Sequence, residues 1–329
     1  MVDARGLTRL GIVVLAAVVG VVAGWFLFVE WGPDPLRVVL LLVTAGVVVY
    51  VGGNAAGSLL PEYNVAEVEV NGAITRDGGG GPLPTSPTSP GADDVVEQME
   101  RADDDSNVDA LLVKLNTPGG AVLPSDDIRN AAEAFDGPTI AYATDLCASG
   151  GYWIASGCDE LWARELSIIG SIGVIGTQVD ATGLAERLGV DFEYITAGEY
   201  KDAGQPFAET TDADREYLQD RVDEQYEAFV ERAAAGRGLD PDVVRDTEAR
   251  VYTGEHAEEM GLVDELGDRD AIEAHLEDEL RTDVDVRQFT PQQGVGRRLR
   301  GGAATVAYAA GAGLASVVDA DDDIQFELR

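Results

Sequence analysis

Leu10 to Val29 (LGIVVLAAVVGVVAGWFLFV) carries no charged residue over a length sufficient to cross the hydrocarbon core of a bilayer. A second apolar run, from Leu36 or Val38 to about Val51, follows after only Glu30-Trp31-Gly32-Pro33-Asp34-Pro35. A cleaved signal peptide fits this pattern poorly, because the first run is long and a second follows at once. The expectation is a transmembrane hairpin: residues 1–60 as a membrane anchor with helices at about 10–29 and 36–53, and Trp25, Trp31 and Tyr50 at the interfaces. The lipid bilayer is thus an expected partner and the cell membrane the expected location. Charge leaves the orientation open, since Arg5 and Arg9 precede the first run, Arg37 sits in the turn, and no basic residue follows until Arg76.

The rest of the 329-residue chain is strongly acidic. Its net charge of −37, from 60 acidic and 23 basic residues, excludes a general affinity for nucleic acid or anionic lipid. Lys114 and Lys201 are the only lysines, so arginine is nearly the sole cation, and the surface reads as halophilic. Each retained lysine therefore asks for a reason. The two cysteines, Cys147 and Cys158, cannot build a disulfide framework or a zinc site and read as small buried hydrophobes.

From Asn64 onward strand-like and helix-like segments alternate, which argues for an α/β fold with a largely parallel sheet. Val65, Val68 and Val70 mark a strand. Arg76 to Ala92 is a Gly/Pro/Ser/Thr stretch expected to be a mobile loop. Then follow a helix near Asp93–Ala102, a buried-type strand at Val108–Leu115, a helix from Ser125 to Phe135 with Ser125 as its N-cap, and a strand at Thr139–Ala143. Further strands are expected at Glu160–Ala163 and Asp191–Thr196. Thr211 with Asp214 opens a long amphipathic helix to about Ala235, and shorter helices lie near Glu255–Met260 and Asp270–Leu280. Residues 61–290 are read as the catalytic domain. In residues 291–329, Arg297, Arg298 and Arg300 precede the small-residue run Gly301–Val318 and an acidic tail.

Cys147-Ala148-Ser149-Gly150-Gly151 places a serine where a strand passes into a helix, with free backbone N–H groups facing it. Asn116-Thr117-Pro118-Gly119-Gly120 is a second glycine turn after a buried strand, and two such turns at adjacent strand ends can supply an oxyanion hole. A serine nucleophile needs a base. His256 and His275 both read as helix residues among acids, and the segment lacks the G-x-S-x-G elbow of the α/β-hydrolases. Lys201 lies in a loop punctuated by Gly198, Gly204 and Pro206. An ordinary lysine, with a pKa of roughly 10.4, keeps its proton at neutral pH, and burial lowers that value, so a Ser-Lys dyad is chemically admissible. Lys114, on a predicted strand, reads as structural.

Asn116-Thr117-Pro118-Gly119-Gly120, Ala148-Ser149-Gly150-Gly151-Tyr152, Gly170-Ser171-Ile172-Gly173-Val174, Tyr200-Lys201-Asp202 and Gly261-Leu262-Val263-Asp264 together resemble, in order and approximate spacing, the signal peptide peptidase A family of membrane serine proteases. The resemblance covers roughly Val65 to Gly267. It implies a fold similar to Clp protease and the crotonases, Ser149 as nucleophile, Lys201 as general base and Ser171 as the group that orients the lysine. It further implies oxyanion donors at Gly119, Gly120 and Gly150. Thr117 stands where serine is commoner in the family, and two apolar runs replace the single anchor of many members. Peptide substrates such as released signal peptides are implied, as is a homo-oligomer in which one copy's serine meets a neighbour's lysine, the helix Asp212–Ala235 contributing contacts. A protease specific for a stomatin-like membrane protein, a crotonase-type acyl-CoA enzyme and a non-catalytic membrane scaffold are the competing readings. No nucleotide or metal motif is present, so no cofactor is expected.

Overall fold

The structure, a computed structural model, describes residues 4–29, 35–59, 63–78 and 90–291. Most of the expected loop and almost all of the C-terminal segment lie outside these residues.

The two apolar runs form α1 (Ala4–Gly24), whose last turn widens to a π-turn at Trp25–Val29, and α2 (Pro35–Leu59). They pack antiparallel through small residues. A Cβ added at Gly20 would lie 3.0 Å from Ala45 Cα, and one at Gly52 2.4 Å from Ala16 Cβ, so glycine is what permits the close approach. Among the described residues no helix is long and apolar enough to cross a membrane.

Eight strands form one sheet: β1 (Val65–Asn71), β2 (Ala110–Thr117), β3 (Thr139–Ala148), β4 (Glu160–Ala163), β5 (Ile168–Gly170), β6 (Val251–Thr253), β7 (Glu265–Leu266) and β8 (Val286–Gln288). The order is β6-β5-β3-β2-β1-β8, with β4 pairing β3 and β7 pairing β4. All pairings are parallel except that of β5 with the edge strand β6. The α/β reading with a largely parallel sheet therefore holds. Both faces are buried, so the central strands read as nearly continuous apolar runs rather than half-polar ones. Ala66, Val68, Val70, Leu111, Val113 and Leu115 face the larger core, beneath α3 (Ala92–Asp103), α4 (Val122–Glu133) and α5 (Gly150–Ala155). Val65, Ala110, Leu112 and Ile140 face the other, against Ile272 and Leu276 of the helix Arg269–Leu280.

The ten residues of β3 serve two neighbours in turn: Ile140–Ala143 pair with β4, and Leu146–Ala148 pair with β5. The strand thus runs five residues beyond its predicted end and carries the serine segment deep into the sheet.

Several expectations are corrected. Helix α4 begins at Val122 with Ala121 as N-cap; Ser125 lies inside the helix and its hydroxyl donates to the Ala121 carbonyl. Ala92 opens α3 rather than closing a loop. Asp191–Thr196 is not a strand: no partner strand lies beside it, and it follows α6 (Thr182–Leu188) as exposed chain, with Phe192 stacked on Phe207 at 4.1 Å. The long helix α7 (Asp212–Arg237) has the expected capping box, Thr211 Oγ1 accepting from the Asp214 amide. It is not amphipathic along its length, for Phe229, Val230, Ala233 and Ala234, all near its C-terminus, are its buried residues.

Candidate active site

Ser149 is the N-cap of α5, at φ 52° and ψ −119°, a sparsely populated conformation for a residue bearing a Cβ. Its amide donates to the Gly170 carbonyl at 2.9 Å and its carbonyl accepts from Trp153 N, so the backbone is fixed on both sides of the hydroxyl. The helix behind it is buried throughout from Gly150 to Ala155. Tyr152 Oη donates to the Leu262 carbonyl, and the Arg237 guanidinium donates to the carbonyls of Ala155 and Cys158 while pairing with Asp264. The far end of the helix behind Ser149 is therefore tied to α7 and to the segment before β7. Cys147 and Cys158 are both free and buried, as expected of packing residues; burial pushes the Cys158 thiol up to about 12 and the Cys147 thiol higher still.

The two glycine turns meet. Gly119, at φ 91°, has room for no side chain: a Cβ there would lie 2.4 Å from the Gly150 amide and 2.8 Å from Ser149 Cβ. A Cβ on Gly120 would lie 2.1 Å from the Ile74 carbonyl oxygen. The Gly119 amide is spent on Thr117 Oγ1 at 3.0 Å, whereas no acceptor faces the amides of Gly120 and Gly150 among the described residues. Gly119 thus contributes the close approach, and the other two contribute unspent N–H groups beside Ser149.

A cavity of about 580 Å³ opens onto this point. Ser149, Gly120, Gly150 and Ser171 line it together with the apolar side chains of Val122, Trp153, Val174, Ile175 and Phe229. Trp153 is braced as a wall. Its indole N–H donates to Asp126 at 2.9 Å, Phe229 packs 4.8 Å away, and Arg232, paired with Asp126, lies 5.0 Å over its ring. Ser125, Gln219, Asp223, Gln225, Tyr226 and Glu248 line the cavity as well, so the walls beside Ser149 are part apolar and part polar.

The structure brings Ser149, Ser171 and the glycines together, and it does not bring Lys201 to them. Lys201 is exposed, does not line the cavity, and its ammonium makes no hydrogen bond or ion pair among the described residues. Its loop is held instead by the exposed N-terminal half of α7, through Tyr200 stacked on Tyr217 at 4.8 Å. Lys114 pairs with Glu69 at 3.3 Å, the structural role expected of it. Neither histidine reaches the cavity: His256 packs on Tyr252, and His275 pairs with Glu160 at 3.1 Å. No group of residues suited to a metal ion occurs among the described residues. Glu248 and Ala249 also line the cavity, both with positive φ, a role the sequence gives no sign of because neither residue type marks a left-handed position.

Residues 132–283 match the model of peptidase family S49. A protein named as a protease from Synechocystis sp. is 34% identical over 206 residues, spanning 62% of this chain and 69% of that protein. The chain belongs to peptidase family S49. Other relatives of this S49 chain include a protein named as a protease from Methanocaldococcus jannaschii, 35% identical over 181 residues, and one named as a signal peptide peptidase from Enterococcus faecium, 32% identical over 199 residues. These matches cover 54% and 59% of this chain, and in each the chain spans 58% of the relative's own length. Membership of a peptidase family leaves the acyl-CoA reading without support. A solved membrane-bound stomatin-specific protease is similar at a TM-score of 0.45 and 16% identity, over 71% of this chain and all of that one, a likeness too slight to argue from.

Proposed function

We propose that this chain is a membrane-anchored serine endopeptidase that cleaves released signal peptides or other apolar membrane-associated peptides by a Ser-Lys dyad. The observation that carries the reading is Ser149 at the head of a buried helix, in a strained conformation, between two unspent backbone amides and a cavity walled in part by apolar side chains. Ser149 Oγ attacks the scissile carbonyl carbon as Lys201 Nζ takes its proton, with Ser171 orienting the amine. The amides of Gly150 and Gly120, set by the close approach of Gly119, receive the oxyanion. The lysine then returns its proton to the leaving amine, and water, deprotonated by the same lysine, releases the acyl group from Ser149.

The base comes from a second copy of the chain. Lys201 rides on an arm whose apolar side chains are left in solvent by a single chain: Ile175 and Ile195 are 90% and 94% exposed, and Leu184 and Leu188 are exposed as well. Ring closure of a homo-oligomer would cover these side chains and seat the amine in the apolar surroundings that lower a lysine's pKa. The α1–α2 hairpin anchors the domain in the cell membrane through two spans, continuing the uncharged run Leu10–Val29. Residues 61–290 are the peptidase domain, with a fold of the Clp protease and crotonase kind. The detergent-solubilised full chain should hydrolyse an apolar fluorogenic peptide, and Ser149→Ala and Lys201→Ala should each abolish hydrolysis while the protein still folds and assembles. Full activity in Lys201→Ala contradicts the dyad.

A further inference from the structure

Among the described residues, five that are not glycine have positive φ: Ser149, Ser171, Glu248, Ala249 and Arg281. Arg281 is the left-handed C-cap of the helix Arg269–Leu280, an ordinary helix ending. The other four line the catalytic cavity. Strain concentrated in this way persists only where surrounding structure over-determines the backbone, and it marks positions whose geometry matters. Ser149 and Ser171 already have roles in the reading above. Glu248 and Ala249 do not.

Their turn is wired to the nucleophile by main-chain hydrogen bonds. The Arg250 amide donates to the Thr247 carbonyl at 2.9 Å, the Ser171 amide donates to the Arg250 carbonyl at 2.8 Å, and the Ser149 amide donates to the Gly170 carbonyl at 2.9 Å. The base of the turn is rigid. Thr247 is buried, its hydroxyl donates to the carbonyl of the buried Val244, and its own carbonyl also accepts from Tyr252 Oη. The tip bears on the serine loop without clearance: a Cβ on Gly173 would lie 2.6 Å from Ala249 Cβ, and one on Gly170 would lie 2.7 Å from the Arg250 carbonyl oxygen. Gly173 itself has no positive φ, so it is the neighbouring methyl, not the backbone, that demands glycine there.

We infer that the Thr247–Arg250 turn is a positioning element of the catalytic site, in which Ala249 acts through Gly173, and the Arg250 carbonyl through Ser171, to set the Gly170–Gly173 loop and with it Ser149. This rests on the reading of Ser149 and Ser171 as site residues. It makes one methyl group at the contact a shared resource: either position 173 or position 249 can carry it, but not both.

The test exchanges that methyl in the full-length protein, with kcat and KM for an apolar fluorogenic peptide measured separately. Gly173→Ala is expected to lower kcat by ~10-fold or more with KM changed by less than ~2-fold, since orientation of the reacting groups is disturbed rather than substrate binding. Adding Ala249→Gly to Gly173→Ala is expected to return kcat to within ~3-fold of the original protein, the non-additivity of residues in contact. Ala249→Gly alone relieves a left-handed alanine, so its thermal midpoint should not fall, yet its kcat should drop by ~3-fold or more because the loop loses its stop. Should Gly173→Ala fail to fold, Ala249→Gly alone decides: an unchanged kcat overturns the proposal. A double variant no more active than Gly173→Ala also overturns it, as does wild-type kcat in Gly173→Ala. Activity surviving in Ser149→Ala, by contrast, would sink the protease assignment itself and is read separately from these outcomes.

Discussion

The half of the molecule that carries Ser149 and the arm that carries Lys201 are built on opposite terms. From Val65 to Ser171 the chain buries both faces of its sheet, and Ser149 stands on a helix with no exposed residue. Between Gly173 and Ala228, Ala185 is the only buried residue. One region is a finished core; the other leaves Ile175, Leu184, Leu188 and Ile195 in solvent, the side chains that the proposed assembly would cover. Apolar burial at roughly 25 cal/mol per Å² stabilises the first within a single chain, and the second gains that term only on assembly. On the mechanism proposed above, the contrast means that the two members of the dyad would be positioned by different events: folding would place the serine, and association the base.

That division can be broken most forcefully at the chemistry. Ser149→Ala and Lys201→Ala should each lower kcat/KM by ~1,000-fold or more, leaving the residual contributed by binding and the oxyanion donors. Next in size is a charge on the arm. Ile195→Asp should dissociate the assembly on sizing and lower activity ~10-fold or more, while the stability of the folded chain changes by less than ~0.5 kcal/mol, because the side chain touches little within its own copy. Arg237→Met attacks the other side of the comparison. It strips the buried partner from Asp264 and the donors from the carbonyls of Ala155 and Cys158, and should cost about 3 kcal/mol in denaturant unfolding.

The smallest effect is expected at alkaline pH. Burial raises both thiols, so the folded state holds their protons more tightly than the unfolded chain does. Their contribution is fully present below the ordinary thiol value of 9.0 and is lost as pH rises from there through about 12 at Cys158. Cys158→Ala should flatten part of that alkaline decline in a pH series of thermal midpoints. Neither thiol should react with iodoacetamide until the protein unfolds.

The same division explains what was legible in the sequence. The central strands declare themselves because Ala66, Val68, Val70, Leu111, Val113 and Leu115 must fill one core, and the serine turn declares itself because Gly119, Gly120 and Gly150 stand where no Cβ fits. The arm misleads for the corresponding reason. Asp191–Thr196 alternates polar and apolar residues as a strand does, but alternation specifies a strand only where a neighbouring strand and a core exist to use it. Ser125 has the chemistry of an N-cap and spends its hydroxyl on Ala121 within the helix instead. The two-residue β7 and three-residue β8 are too short for periodicity to show. The left-handed pair Glu248–Ala249 leaves no mark at all, because its conformation is imposed by the buried Thr247 and the serine loop rather than chosen by its own side chains.

The claim that folding places the serine and association places the lysine is tested most directly by mixing the two inactive variants. Ser149→Ala and Lys201→Ala subunits, dissociated and reassembled together, should regain activity, because some sites then pair an intact serine with a neighbour's intact lysine; mixtures that assemble and stay as inactive as either parent would contradict it.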